Sequence, residues 1–314
     1  MKSFAKKLIE RFTLAVPWGA RESMLAALCK EEGRYGMLMR LASDVNVVAF
    51  SVQGRFGILQ GSAKDASILR AYAETGVWAE RTVGLIRNYF KESGGVYIDV
   101  GANIGATVIP IAQNPNVSCF ALEPEPINYQ HLVTNVGANC AHRNVEVKQM
   151  AAFSRRGTMS FEVSPTNMGD NRLRIGNAAG ALGEDQWRSI DVETMPLDEI
   201  APRNDKPLVL KIDTQGAEPY VVEGGRETIS RANLIVMEFS PYMMARMGAD
   251  QKGLLEFFRT HFDYMSIAIG EATPIPVPLP IGQACEMLST LTIDPKVYVD
   301  VITGRDVRRI VGAG

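Results

Sequence analysis

A chain of 314 residues with 46% hydrophobic and 22% charged side chains carries enough apolar material for a sizeable core and is not the composition of a disordered segment. Its 33 lysines and arginines nearly balance 35 aspartates and glutamates, for a formal charge of -2 and a pI near 6.0, so there is no broad basic field and nucleic acid is not expected as a partner. Cys29, Cys119, Cys140 and Cys285 stand far apart with no CxxC pair, which argues against a zinc ribbon, an iron-sulfur cluster or a disulfide framework; with no apolar run of the roughly 18 residues that span a bilayer and no signal-peptide pattern, a cytoplasmic setting is expected.

The first segment, 1–92, reads as a mainly helical extension. Phe4, Leu8, Ile9 and Phe12 share one helical face against Lys2, Lys6, Lys7 and Arg11, a pattern that suits packing on the protein itself or peripheral contact with an anionic membrane. Alternation over 46–52, a turn signal at Gln53-Gly54 and a second alternating run over 55–59 predict a hairpin. One helix is expected over 66–91. From residue 93 to 314 short apolar runs alternate with helical stretches, the signature of βα units and a mainly parallel sheet. Strands are expected at 96–100, 117–122, 145–150, 208–212, 234–239, 264–269 and 297–302, and helices near 106–113, 127–140, 217–230 and 251–261. The Pro-rich run 273–280 reads as an extended connector.

The strongest local signal is the strand running into Asp99-Val100-Gly101-Ala102-Asn103-Ile104-Gly105, with a helix just after it. Glycines there let the backbone reverse sharply and let a ligand approach the main chain. The spacing is GxxxG with an acid two residues ahead, not the GxGxxG of pyrophosphate binders, which speaks against a nicotinamide oxidoreductase. Glu123 ends the next strand 22 residues after Gly101, where an acid can accept hydrogen bonds from both ribose hydroxyls.

These pieces resemble the FkbM family of S-adenosylmethionine-dependent methyltransferases. Residues 99–105, Glu123-Pro124-Glu125-Pro126, the 144–147 segment with Ala151 and Ala152, residues 196–200, the 211–218 segment and Glu238 follow in the family's order. The resemblance implies a Rossmann-like, class I methyltransferase sheet of seven strands with one antiparallel strand. It also implies methyl transfer to a hydroxyl of a sugar, glycolipid or polyketide-like small molecule. On that reading Asp99 holds the methionine ammonium, directly or through water, Gly101 and Gly105 clear space for the cofactor with Asn103 in the same turn, Glu123 grips the ribose, and adenine lies near Met150 and Ala151, with Gln149 as a polar alternative.

The segment Lys211-Ile212-Asp213-Thr214-Gln215-Gly216-Ala217-Glu218 repeats the strand-turn-helix pattern across the sheet's switch point, so Asp213 and Gln215 are expected to face the acceptor. A hydroxyl acceptor must lose a proton as it is methylated, and Asp213 is the expected base, or the ligand of a divalent cation that acidifies the hydroxyl. Glu238 either leans into the site or pairs with Lys211, and Glu218 is either catalytic or a capping charge. His131, His142 and His261 show no metal-ligand spacing. The Gly- and Asn-rich stretch 164–187 is expected to be a loop over the acceptor, offering Arg172 and Arg174 to an anion and Trp187 to a sugar ring. A noncatalytic binding protein on the same fold is the alternative of another class; the joint presence of Asp99, Glu123, Asp213 and Glu238 favours the enzyme.

Overall fold

The computed structural model describes residue 35 and residues 47–165, 167–175, 180–181, 183–271 and 274–311. The amphipathic stretch 2–12 and Cys29 lie outside the described residues.

Strands β1 (Ala49–Gly54) and β2 (Gly57–Ser62) form the expected hairpin, with Gly54 paired to Gly57 so that Arg55 and Phe56 make the turn, two residues later than the Gln53-Gly54 signal. The backbone of β2 is tied to the helix Pro126–Asn139 by two asparagines one helical turn apart. Asn135 accepts from the Gln60 amide at 2.7 Å and donates to its carbonyl at 2.8 Å; Asn139 does the same to Ile58 at 3.0 and 2.8 Å. Side chains thus satisfy a strand edge that would otherwise be exposed. The helix expected over 66–91 is two helices, Ile68–Thr75 and Glu80–Tyr89, because Gly76 (φ +80°) ends the first in a left-handed cap. Leu69, Tyr72, Ile86 and Phe90 join the same buried cluster as Tyr97 and Val209 of the sheet, so this part of the 1–92 segment shares the core.

The main sheet is built from β3 (Gly95–Val100), β4 (Val117–Leu122) and β5 (Val145–Lys148). A side sheet follows: β6 (Ala151–Ala152), β7 (Gly157–Val163), β8 (Arg172–Leu173) and β9 (Arg188–Met195). The chain then returns to the main sheet with β10 (Leu208–Ile212), β11 (Leu234–Phe239), β12 (Tyr264–Ala268), β13 (Leu279–Pro280) and β14 (Val299–Thr303). The order is β13-β12-β14-β11-β10-β3-β4-β5; β5, β4, β3, β10 and β11 are mutually parallel, and β14 is antiparallel to both neighbours, β11 and β12. Seven strands with one reversed agree with the expectation, and the two-residue β13 adds an eighth at the edge.

Helices cover both faces of this sheet, which is why β3 and β10 are buried at every position and read as apolar runs interrupted only by Asp99 and Lys211. The helix expected over 217–230 is broken into Glu218–Glu223 and Arg226–Ser230, with Gly224 pressed against the Phe153 carbonyl. Elements not expected include the helix Ile281–Ser289 after the Pro-rich run, the short helices Leu197–Ile200, Pro241–Arg246 and Val307–Val311, and the side sheet, in which β7 and β9 pair antiparallel from Gly157↔Thr194 to Val163↔Arg188. The strand order reverses between β3 and β10, and open α/β sheets bind ligands in the crevice beyond the carboxyl ends at such a point.

Candidate active site

A cavity of 770 Å³ lies at that point. The carboxyl ends of β3, β4, β10 and β11 form its floor, with the start of the antiparallel β14 beside them, so Glu123, Gly101, Asp213, Glu238 and Asp300 follow one another along the sheet edge. Asn167, Met168, Asp170 and Asn171 cover one side.

The turn after β3 is folded by its own backbone. The amides of Gly101 and Ala102 both donate to the Leu122 carbonyl, at 3.0 and 2.9 Å, and the Asp213 amide donates to Val100 at 3.0 Å. Gly101 has φ +84°, and a Cβ there would come within 2.0 Å of the Asp213 carbonyl oxygen. Its glycine therefore brings the two strand ends together. Gly105 (φ +90°) is not in the cavity wall; a Cβ there would strike Leu132 at 2.9 Å. The reading of Gly105 as cleared space for a cofactor is replaced by close helix packing.

Glu123 reaches the cavity from a buried position. One carboxylate oxygen accepts the Asn103 amide and the other the Glu125 amide, both at 2.9 Å. Burial pushes its pKa up to about 8, the two amides pulling the other way. Each oxygen keeps a lone pair for a further donor. Asn103 stands at φ +51°; its side chain accepts from Ile104 and donates to the Met168 carbonyl at 2.8 Å, tying the turn to the covering segment. Met150 and Ala151 line the cavity next to Glu123, whereas Gln149 does not.

Asp99 does not line the cavity. Its side chain is fully buried, accepts a hydrogen bond from the Thr107 hydroxyl and lies 3.4 Å from Lys211 Nζ. Burial raises its pKa, Lys211 and Thr107 opposing. An ammonium ligand in the cavity is thus not what Asp99 faces; it anchors Lys211. Lys211 in turn pairs with Asp99 and Asp213, each at 3.4 Å, and not with Glu238. Desolvation disfavours its charge, but Asp213 and Asp99 overcome this and hold its pKa above the usual lysine range.

Asp213 is gripped at both oxygens. Oδ2 faces Lys211, and Oδ1 accepts 2.9 Å from Gln215 Nε2, which donates also to Glu238 Oε2 at 3.0 Å. Burial first, then the neighbouring carboxylates of Asp213, Glu218 and Asp300, raises the Glu238 pKa well above the ordinary value. Gln215 bridges two carboxylates from a left-handed backbone, φ +57°. Of the four non-glycine residues with positive φ among the described residues, three, Ala79, Asn103 and Gln215, line this one cavity. Such conformations cost about 1–3 kcal/mol each and persist where surrounding structure enforces them.

Glu218 is a cap. It accepts from the Thr214 amide and hydroxyl and from the Gly216 amide at 2.7 to 2.9 Å, so it holds the Asp213–Gln215 turn without facing the cavity; burial lifts its pKa to about 7. The anion-binding role expected of Arg172 does not survive. Arg172 is buried against Met243 and Glu184, Trp187 stacks on its guanidinium at 4.8 Å, Arg174 lies 3.6 Å from Glu162, and none of the three lines the cavity. His131 is tied to Gln60 and His261 to its own helix at Phe257. Among the described residues no group of three or more His, Cys, Asp or Glu side chains is arranged to hold a metal ion, and no helix is long and apolar enough to cross a membrane. Cys119, Cys140 and Cys285 are buried free thiols.

Sequence reasoning missed the far wall: Trp78, Ala79, Glu80, Glu271, Tyr298 and Asp300. Arg81 binds the Asp300 carboxylate and the Gly270 carbonyl, and Glu271 accepts the Arg81 amide at 2.8 Å and the Thr82 hydroxyl at 2.7 Å. These residues are more than 180 positions apart, and nothing local in the sequence marks them as neighbours.

Comparison with known proteins fits this geometry. A 2-O-methyltransferase, NoeI of Sinorhizobium fredii, is 30% identical over 159 residues, covering 46% of this chain and 63% of the relative. A hexuronic acid methyltransferase, AglP of Haloferax volcanii, is 29% identical over 149 residues, covering 47% and 56%. The chain thus spans less than two thirds of the length of either. A crystal structure of an FkbM methyltransferase from Methylobacillus flagellatus aligns at a TM-score of 0.41 and 15% identity over 70% of this chain and 47% of that one. The model of the methyltransferase FkbM domain matches residues 99–265, more than half of the sequence and the stretch that holds Gly101, Glu123, Asp213 and Glu238, so the chain belongs to the FkbM methyltransferase family.

Proposed function

We propose that this protein transfers a methyl group from S-adenosylmethionine to a hydroxyl oxygen of a sugar or glycolipid. The observation that carries the reading is the Asp213 carboxylate, fixed between Lys211 and Gln215 on the opposite side of the switch point from Glu123. The cavity suits the cofactor. Glu123 offers lone pairs to ribose hydroxyls, Met150 and Ala151 offer an apolar surface beside it, and the carboxylates of the wall favour a ligand that carries positive charge on sulfur and nitrogen. When bound, the cofactor supplies an electrophilic methyl on a sulfonium.

The chain's own residues then have defined tasks. Lys211 and Gln215 hold the two oxygens of Asp213 so that its remaining lone pairs point at one place, and Asp213 takes the proton of the acceptor hydroxyl. Lys211 is itself anchored by Asp99. The relatives' names, a 2-O-methyltransferase and a hexuronic acid methyltransferase, support a carbohydrate acceptor. Calorimetry on the full chain tests the cofactor half: S-adenosylhomocysteine should bind, and Glu123→Ala should weaken it by about 1–3 kcal/mol, the cost of unpaired buried polar groups. Binding of NAD in preference would overturn it.

A further inference from the structure

Past Asp213 the sheet edge continues through Glu238 to Asp300, its partner across the β11–β14 pair, and the cavity opens beside residues 77–80, Glu271, Pro295 and Tyr298. Two aromatic rings stand in this wall. Trp78 is partly buried against the core, and Tyr298 is 52% exposed. The charged groups around them are one-sided. Asp213, Glu271 and Asp300 line this part, with Glu238, whose charge is disfavoured by burial, and Glu80, which pairs with Arg55 at 2.6 Å, whereas Lys211 is the only basic side chain among the described residues of the wall, and it already lies 3.4 Å from both Asp99 and Asp213. Arg81, just behind the wall, is held by Asp300 and Glu271.

We propose that this mouth seats the acceptor and selects an uncharged sugar over an acidic one, a conclusion that rests on the sugar O-methylation reading above. A pyranose ring has an apolar C–H face and a rim of hydroxyl donors. Aromatic rings such as those of Trp78 and Tyr298 cover the first, and carboxylates, which only accept, satisfy the second. A uronate brings a carboxylate into a wall of carboxylates where the nearby cations among the described residues, Lys211, Arg81 and Arg55, already have carboxylate partners, and like charges set against each other are strongly disfavoured. The segment 164–187 does not supply the missing cation, because Arg172 and Arg174 are engaged with Glu184 and Glu162. The chain would thus differ in acceptor charge from the relative whose name specifies a hexuronic acid.

The test offers the full chain labelled S-adenosylmethionine with methyl pyranosides of gluco, galacto and manno configuration and with the uronates of the same three. Uncharged sugars should be used with kcat/KM at least about tenfold above their uronates, in line with the cost of unpaired like charges. Tyr298→Ala, on an exposed side chain, should raise the sugar KM roughly severalfold while S-adenosylhomocysteine affinity holds, the size expected for an aromatic contact. Glu80→Lys, also on the surface, should narrow the gap between sugar and uronate. Equal or better use of the uronates, or a sugar KM unmoved in both Tyr298→Ala and Trp78→Ala, overturns the inference alone. Transfer to none of the six by protein that binds S-adenosylhomocysteine overturns the sugar reading itself.

Discussion

Lys211→Met isolates what holds Asp213 in place. The lysine lies 3.4 Å from Asp99, which is fully buried, and from Asp213, whose side chain is 38% exposed. The second contact is screened by solvent and adds little to stability. The first is a buried pair, and removing one partner of such a pair costs about 3–5 kcal/mol because the other charge is left uncompensated. Asp99 can escape only by taking up a proton. Doing so against an ordinary pKa of 3.8 costs about 1.6 kcal/mol at pH 5 and about 5.7 kcal/mol at pH 8, at 1.36 kcal/mol per unit. The variant's native state then holds a proton that its unfolded state lacks, so its stability falls as pH rises above 3.8 toward the raised native pKa. Urea denaturation should therefore show a loss of about 3–5 kcal/mol at pH 8 and no more than about 1.6 at pH 5. Asp99→Asn in the same protein should recover most of the loss at pH 8, because no buried charge remains. A loss under about 1 kcal/mol at pH 8, or one that neither varies with pH nor responds to Asp99→Asn, would refute the assignment of Asp99 as the anchor of Lys211.

Gln215→Gly removes the bridge between Asp213 and Glu238 while relieving a left-handed backbone worth about 1–2 kcal/mol, so turnover should fall roughly tenfold or more with no drop in melting temperature; unchanged turnover would remove Gln215 from the positioning of Asp213. Burial, opposed by the Glu125 and Asn103 amides, holds Glu123 at about 8, above its unfolded value near 4.5, so the ligand-free protein should lose stability as pH rises between those two values. Over the upper part of that window S-adenosylhomocysteine should bind more tightly as the carboxylate forms, by up to about tenfold per pH unit, and Glu123→Gln should flatten the profile. Calorimetry at intervals from pH 6.5 to 8.5 reads this directly, and a wild-type affinity independent of pH would show that the ribose does not depend on the ionised group.

Much of the sheet was legible because strands covered on both faces are mainly apolar, with single polar residues such as Ser118, Lys211 and Glu238 among them. The runs at 117–122, 208–212 and 234–239 match β4, β10 and β11 residue for residue. The side sheet was not, because its strands keep polar residues at alternate positions: Thr158, Ser160 and Glu162 on β7, Ser189, Asp191 and Glu193 on β9. That pattern is a period-two alternation of low mean hydropathy, which a search for apolar runs passes over. In the site, spacing placed Gly101, Glu123, Asp213 and Glu238 on one edge, since strand-end positions follow from chain order once the sheet is known. Spacing does not say which way a side chain turns. Asp99 is spent on Lys211 and Thr107 and does not reach the cavity, and Arg172 spends its charge internally, outcomes that depend largely on partners remote in sequence. The same holds for Asp300, whose place opposite Glu238 depends on a strand inserted late in the chain.

The central claim is that Asp213 receives the proton of a sugar hydroxyl as a methyl group is transferred. The most direct measurement incubates the full chain with labelled S-adenosylmethionine and fractionated carbohydrates, lipids, proteins and RNA, beside Asp213→Asn. The account predicts label in an alkali-stable methyl ether on carbohydrate, reduced by about a hundredfold or more in Asp213→Asn with S-adenosylhomocysteine affinity within a few fold of wild type. Label found only in protein, RNA or an alkali-labile methyl ester, or full transfer by Asp213→Asn, would contradict it.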